Sequence, residues 1–250
     1  NNLQKKTYVM GTGQRSIICG YLERRDREFF IIIQRRPGKM NTVFFIDFDG
    51  TITSKDTAAT MIQTFVHETD YPAINQIITS WEQRSISTKQ CANTLFHYFN
   101  ADMNTMLGML DTITIDQSFL RFIDTCITSG DRAYVLSDGF DLCIKTVFNK
   151  YGIDLPFYAN TMVYDNGFAI ECPYENPECG HCGVCKTDLM HRIKEHFSWS
   201  IYIGDGYSDT CPVIHADMVF AKEPLYSLCS DRGIHAIRFN TFDDIATRLY

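Results

Sequence analysis

No strictly apolar stretch in the 250-residue sequence exceeds five residues, the longest being Phe29 to Ile33, whereas a membrane-spanning helix needs about 20. The N-terminus carries scattered charges and no continuous apolar h-region, so no secretory signal is expected. Neither an internal repeat nor a low-complexity tract is present. With 45% hydrophobic and 21% charged residues, wholesale disorder and fibrous repeats are excluded. The expectation is a cytoplasmic globular protein with no membrane partner, as one large domain or a core with a modest insertion. Its oligomeric state is read as monomer or homodimer.

A basic surplus is also missing from most of the chain. Residues 1–40 hold nine Lys or Arg against three acids, while the remainder holds 14 basic and 27 acidic residues. An acidic body argues against a nucleic-acid partner. The first 40 residues read as a basic N-terminal appendage, either a leader ahead of a start at Met40 or an arm for a partner. Of the ten cysteines, four crowd into Cys172, Cys179, Cys182 and Cys185. That spacing fits a reducing compartment better than a disulfide framework.

Regular patterning begins at Thr42. The run Val43 to Ile46 is short, continuous and rich in β-formers, as in a strand covered on both faces of a parallel sheet. Similar runs recur at Ala133 to Leu136, Ile201 to Ile203, Met218 to Ala221 and Ile234 to Ile237. Helix-length amphipathic segments alternate with them at Gln117 to Thr128, Asp141 to Tyr151, Thr187 to Phe197 and Phe242 to Leu249. Alternation of this kind predicts an α/β doubly wound sheet. Residues 57–116 carry helical patterns only (Thr57 to Glu68, Ala73 to Gln83, Thr88 to Phe99), predicting a helical cap inserted into a core of residues 41–56 and 117–250. A hairpin is expected around Asn166-Gly167.

The first strand runs into Asp47-Phe48-Asp49-Gly50-Thr51. In open α/β sheets the ligand crevice lies beyond the carboxyl ends of the strands. Two carboxylates two residues apart can then divide the work, one as nucleophile or metal ligand and one as general acid and base. Alone, the string could equally be a capped turn. Ala133 to Leu136 leads to Ser137-Asp138-Gly139, whose hydroxyl and N–H groups, placed at a helix start, suit an anion. Ile201 to Ile203 leads to Gly204-Asp205-Gly206-Tyr207-Ser208-Asp209, and Lys186 opens a helix 19 residues before Asp205. Acid pair, hydroxyl, lysine and acid pair, all at element ends, make a site for Mg²⁺ and a phosphate.

In this order the strings resemble the four motifs of the haloacid dehalogenase (HAD) superfamily of phosphatases, over residues 43 to about 240. Asp47 to Thr51 is similar to its first motif, Ser137 to the second, Lys186 to the third and Gly204 to Asp209 to the fourth. The longer strings Asp47 to Thr53, Cys182-Gly183-Val184-Cys185-Lys186 and Gly204 to Pro212 resemble the phosphoserine-phosphatase-like branch. Within it they resemble the methionine-salvage phosphatases, with the phosphocholine, phosphoethanolamine and phosphoserine phosphatases as the alternatives. The resemblance implies a Rossmann-like HAD core and a Mg²⁺-dependent phosphomonoesterase acting on a small phosphorylated metabolite. It implies Asp47 as nucleophile, Asp49 as general acid and base, and Lys186 as catalytic and phosphate-binding. Ser137, Asp138 and Gly139 are implied at the phosphate. Asp138 departs from the usual Ser-Gly-Gly string. The resemblance further implies a metal held by Asp47, Asp49 through its carbonyl, Asp205 and Asp209.

Asp56 stands where relatives read the leaving group, and it equally suits an N-cap. The four clustered cysteines, with His181 among them, allow a structural metal as an alternative. The aromatic and Met residues of 61–110 read as cap packing, with Met61, Phe65, Phe96 and Phe99 as candidates to surround an apolar substrate tail. Against these stands a non-catalytic binding or regulatory protein on the same fold, which the intact Asp47, Asp49, Lys186 and Asp205 disfavour.

Overall fold

In the computed structural model, which describes residues 41–250, Thr42–Ile46 forms β1 with all five residues buried. The run is continuous because the strand sits inside the sheet with both faces covered. It pairs in parallel with β2 (Arg132–Phe140) on one side and β5 (Trp199–Gly204) on the other. Beyond β2 lies β3 (Phe157–Tyr164), followed by antiparallel β4 (Phe168–Glu171). Beyond β5 lie β6 (Met218–Ala221) and β7 (Ile237–Arg238). The order is β4-β3-β2-β1-β5-β6-β7, the mostly parallel α/β sheet that the alternation predicts. The expected appendage at 1–40 lies outside the described residues.

Between β1 and α5 (Ser118–Ser129) the chain forms only helices, α1 (Thr57–Phe65), α2 (Tyr71–Glu82), α3 (Thr88–Phe96) and α4 (Met103–Leu110), with one 3₁₀ turn at Glu68–Asp70. The outgoing and returning strands of this insertion pair with each other, Thr53 opposite Ile115, with Ser54 N–H donating to Thr114 O at 2.8 Å and Asp116 N–H to Ile52 O at 3.0 Å. The helices sit down on the core through Phe96, which lies 5.4 Å from the ring of Phe140 and 5.8 Å from that of Phe168. Side-chain caps start three of them: Asp56 for α1, Ser87 with Gln90 for α3, and Asp102 for α4.

The remaining helices are α6 (Asp141–Tyr151), α7 (Lys186–Lys194), α8 (Leu225–Asp231) and α9 (Phe242–Leu249). Helix α5 buries Phe119, Phe122, Ile123 and Cys126 on one face, and Phe122 meets Phe44 of β1 edge-on at 5.3 Å. No helix of the described residues is long and apolar enough to cross a membrane.

Two local expectations are corrected, and the expected hairpin is present. The strand expected at Ile234 to Ile237 shrinks to Ile237–Arg238, because β6 ends at Ala221 and offers only Phe220 and Ala221 as partners. β2 does not stop at Leu136 but runs to Phe140, with the three residues between Leu136 and Phe140 opposing a single one on β3, Ala159, between Tyr158 and Asn160. Ser137, Asp138 and Gly139 therefore occupy a bulge in the strand rather than a helix start; α6 begins only at Asp141. Tyr164 pairs with Phe168, so the hairpin has a three-residue loop, with Asn166 in the left-handed region at φ 53°.

Candidate active site

The carboxyl ends of β1, β2 and β5, together with the start of α7, converge on one crevice, as the strand-end rule requires. Asp47 follows β1 directly and is almost fully buried. Its Oδ1 accepts from Lys186 Nζ at 2.6 Å, and the same ammonium donates to Asp209 Oδ1 at 2.7 Å and Ser208 Oγ at 3.0 Å. Lys186 is itself only 3% exposed, and its ammonium sits among three acceptors inside the site. Burial opposes its charge, but Asp209 and Asp47 outweigh that and hold the ammonium protonated well above its ordinary range. Burial and then the like charge of Asp209 push the Asp47 carboxyl up, against the pull of Lys186.

Asp209 is saturated. Lys186 Nζ and, at 2.5 Å, the Tyr202 hydroxyl donate to Oδ1, while the backbone N–H groups of Asp205 and Gly206 donate to Oδ2 at 3.0 Å each. Its role is to fix the loop that presents Asp205. Asp205 is held by Thr51 Oγ1, which donates to its Oδ1 at 2.7 Å. Burial and then Asp209 push the Asp205 carboxyl up to about 6. Carboxylate oxygens of Asp47, Asp205 and Asp209 lie within 4.8 Å of one another, and among the described residues they are the group of acidic, His or Cys donors gathered to suit a metal ion. Three crowded carboxylates are a donor set that a hard divalent cation fits. The four loop cysteines make no such group.

Asp49 points to the other side of the turn. Thr57 donates to its Oδ1 through both N–H (3.0 Å) and Oγ1 (2.6 Å), while Oδ2 stays near Ser137 Oγ at 3.5 Å. Burial and then the charge of Asp56 push its carboxyl up to about 7, so it can carry a proton near neutrality, as a general acid must. Two glycines are needed here. Gly50 has φ +72°, and a Cβ there would stand 2.3 Å from Asp205 Oδ2; a Cβ on Gly139 would stand 2.5 Å from Asp49 Oδ2 and 3.0 Å from Ser137 Oγ. Gly139→Ala is accordingly expected to displace Asp49 and lower kcat by on the order of 10²-fold with the fold intact. Steady-state kinetics beside a urea melt check this, and an unchanged kcat contradicts it.

The other sequence candidates divide. Ser137 faces the crevice, its Oγ accepting from Gly139 N–H at 2.9 Å. The Asp138 side chain turns away from it, accepting from Thr88 Oγ1 (2.6 Å) and Val184 N–H (2.8 Å), with its own backbone carbonyl taken by Asn160 Nδ2 (2.7 Å). It joins the helical insertion to the loop before Lys186, and that is how an extra acid is tolerated beside an anion site. Asp56 caps α1, accepting from Ala59 N–H at 2.7 Å. Met61, Phe65 and Phe96 are buried and Phe99 packs on both phenylalanines, so these four serve the packing of the insertion.

Sequence reasoning missed Thr57, Tyr202, Thr51 and Lys222. Lys222 Nζ donates to the carbonyls of Gly50 (3.2 Å) and Thr51 (3.0 Å), tying down the turn that carries Asp47 and Asp49. Its position just past β6 was a usable signal, since it also stands at a strand's carboxyl end.

Comparison with known proteins agrees with this geometry. Residues 42–226 match the family described as Putative Phosphatase. The chain is similar to the 2-hydroxy-3-keto-5-methylthiopentenyl-1-phosphate phosphatase of Lysinibacillus sphaericus (strain C3-41), 27% identical over 216 residues, covering 82% of this chain and 92% of that one. The enzyme of the same name from Bacillus cereus (strain AH187) is 26% identical over 215 residues, covering 84% and 96%. Among solved structures, a phospho-aspartyl intermediate analogue of phosphoserine phosphatase superposes with TM-score 0.63 at 18% identity, over 85% of this chain and all of that one. A HAD family hydrolase from Salmonella enterica serovar Typhi gives 0.64 at 17% identity, over 90% and 79%. At such identities the structures establish the shared fold.

Proposed function

The chain belongs to the Putative Phosphatase family, and on that premise we propose a two-step phosphomonoesterase in which Asp47 takes the phosphoryl group and gives it to water. The observation that carries this reading is the buried pairing of Asp47 Oδ1 with Lys186 Nζ at 2.6 Å, with Asp49 held by Thr57 beside it. Asp47 Oδ2 attacks phosphorus, the ester oxygen departs with the proton from Asp49, and an aspartyl phosphate forms. Asp49, now a carboxylate, takes a proton from water, which attacks the same phosphorus and frees Asp47 and inorganic phosphate. Lys186 and the Ser137 hydroxyl hold phosphoryl oxygens and balance the charge that develops on them. A divalent cation, Mg²⁺ in this reading, would be held by Asp47, Asp205 and the Asp49 carbonyl with Asp209 in support, and supplies the charge neutralisation that lets a carboxylate approach a phosphate dianion.

Phosphate release from p-nitrophenyl phosphate with and without chelator tests the class, and activity that survives chelation overturns the metal assignment. Asp49→Asn is expected to slow leaving-group departure by about 10² to 10⁴. The loss should shrink for esters whose leaving groups need no proton, such as p-nitrophenol; an equal loss across leaving groups argues against the role.

For substrate we propose 2-hydroxy-3-keto-5-methylthiopentenyl-1-phosphate, supported by the relatives that bear that name and match most of this chain. Measured side by side at equal Mg²⁺, kcat/KM is expected to be higher for it than for phosphoserine, phosphocholine or phosphoethanolamine. A tenfold preference for either choline-type ester overturns the assignment and makes the exposed Asp56 the partner of a cationic head group.

A further inference from the structure

The loop ahead of Lys186 contains chemistry that phosphate hydrolysis does not use. Asn176 to Gly180 folds as a tight turn that ends on Cys179, with Cys179 and Gly180 N–H both donating to Asn176 O at 3.0 Å, and Gly180 at φ +64° leads the chain on through His181 to Cys182. Cys179 is exposed and Cys182 is half-buried behind it. Partial burial opposes ionisation of Cys179, yet the backbone N–H groups of Cys182 and His181, the Cys182 thiol and the Arg84 charge outweigh it and bring its pKa below the ordinary thiol value. Cys182 is pushed the opposite way, by burial and then by the charges of Asp138 and Cys179. An exposed, ionisable first cysteine and a half-buried second one, with two residues between them, are the arrangement that thiol–disulfide exchange needs.

The helical insertion rests on His181, between the two cysteines in sequence. Thr88 N–H donates to His181 O at 2.8 Å, and the Trp81 indole stacks on the His181 ring, centroids 6.1 Å apart at 20°. Arg84 adopts a left-handed backbone, φ 58°, and its guanidinium reaches across to Cys211 Sγ at 3.0 Å. A non-glycine residue kept there is held by its surroundings. His181 thus stands between the two cysteines in sequence and carries contacts of the insertion, four residues before Cys185 and five before Lys186.

We propose that Cys179 and Cys182 form a redox-active dithiol that closes to a disulfide by exchange with a small-molecule disulfide, and that closure loosens the seat of the helical insertion and slows the phosphatase. In the first step the Cys179 thiolate attacks one sulfur of the oxidant; an S–S bond forms to Cys179, the oxidant's own S–S bond breaks, and one thiolate leaves. Cys182 then gives up its proton and attacks Cys179 Sγ, expelling the second thiolate. Two electrons pass from the protein dithiol to the oxidant, and the released thiolates take up the proton as pH dictates. Closure removes the negative charge that Arg84 faces and redraws Gly180-His181, on which Trp81 and Thr88 rest.

The test uses the full chain in glutathione buffers from fully reduced to fully oxidised, quenched with a maleimide and mapped by peptide mass, with p-nitrophenyl phosphate turnover read in parallel. The expected result is a Cys179–Cys182 disulfide and a several-fold fall in kcat/KM that dithiothreitol reverses. Cys182→Ser should trap a glutathione adduct on Cys179, whereas Cys179→Ser should leave Cys182 unmodified and activity indifferent to the buffer. Three results each overturn the proposal: no disulfide in the fully oxidised buffer, a disulfide without change in kcat/KM, or stoichiometric zinc in the purified protein that is released when Cys179 is alkylated.

Discussion

Asp47→Asn is expected to lower turnover by on the order of 10⁵-fold or more while the protein stays folded, the scale seen when a nucleophile that acts as part of a unit is removed. The side chains are near-isosteric, and the Asp47 backbone N–H keeps its bond to Ile203 O at 2.9 Å. What changes is chemistry: an amide oxygen is a feeble nucleophile toward phosphorus and cannot form a hydrolysable acyl phosphate. Stability should not fall. Asp47 is one of three crowded carboxylates, pushed up by burial and by Asp209, so a neutral group relieves repulsion, while Lys186 keeps Asp209 and Ser208 as acceptors. Single-turnover phosphate release and a urea melt on the same preparation measure both. More than a tenth of normal turnover sinks Asp47 as the nucleophile, and a lost transition in the melt would turn the activity loss into a folding effect.

The parts of this site that were legible in sequence are those set by local rules. A four-residue apolar run leading into Asp-Phe-Asp-Gly announces a buried central strand and acids beyond its end, and Asp47, Asp49, Asp205 and Lys186 do come together there. What was hidden depends on partners far apart in the chain. Thr88 stands 50 residues before the Asp138 carboxylate it bonds, so nothing near Asp138 announces that its side chain faces the insertion and not the phosphate. Tyr202 reads as one more β-former in Ile201-Tyr202-Ile203, and only the chain reversal at Gly204 to Asp209 brings its hydroxyl to Asp209. The bulge in β2 was equally invisible, since it follows from β3 supplying one residue against three. Cap packing illustrates the converse: Phe96 and Phe99 look available for a substrate in sequence, and their rings close on each other at 5.3 Å.

Lys186→Met should be the most damaging single change to the site as a whole, because it removes charge from two buried carboxylates at once. Catalysis should fall by about 10² to 10³ through loss of phosphoryl stabilisation. Unlike Asp47→Asn, this variant should also be destabilised, by about 3–5 kcal/mol, the usual cost of leaving a buried charge without its partner. Lys186→Arg should not rescue it: a planar fork cannot place one atom against Asp47, Asp209 and Ser208 at 2.6, 2.7 and 3.0 Å. The cause can be isolated by a double-mutant cycle, since Asp47→Asn removes one of the two charges that Lys186→Met strands. The double variant Asp47→Asn/Lys186→Met should therefore unfold at a higher urea concentration than Lys186→Met alone, although it is the less active protein. If the two melt together, the stranded charge of Asp47 contributes nothing to the loss and the ammonium acts on stability through Asp209 alone. If Lys186→Met melts with the unaltered chain, the buried ion triad is not what holds these strand ends together.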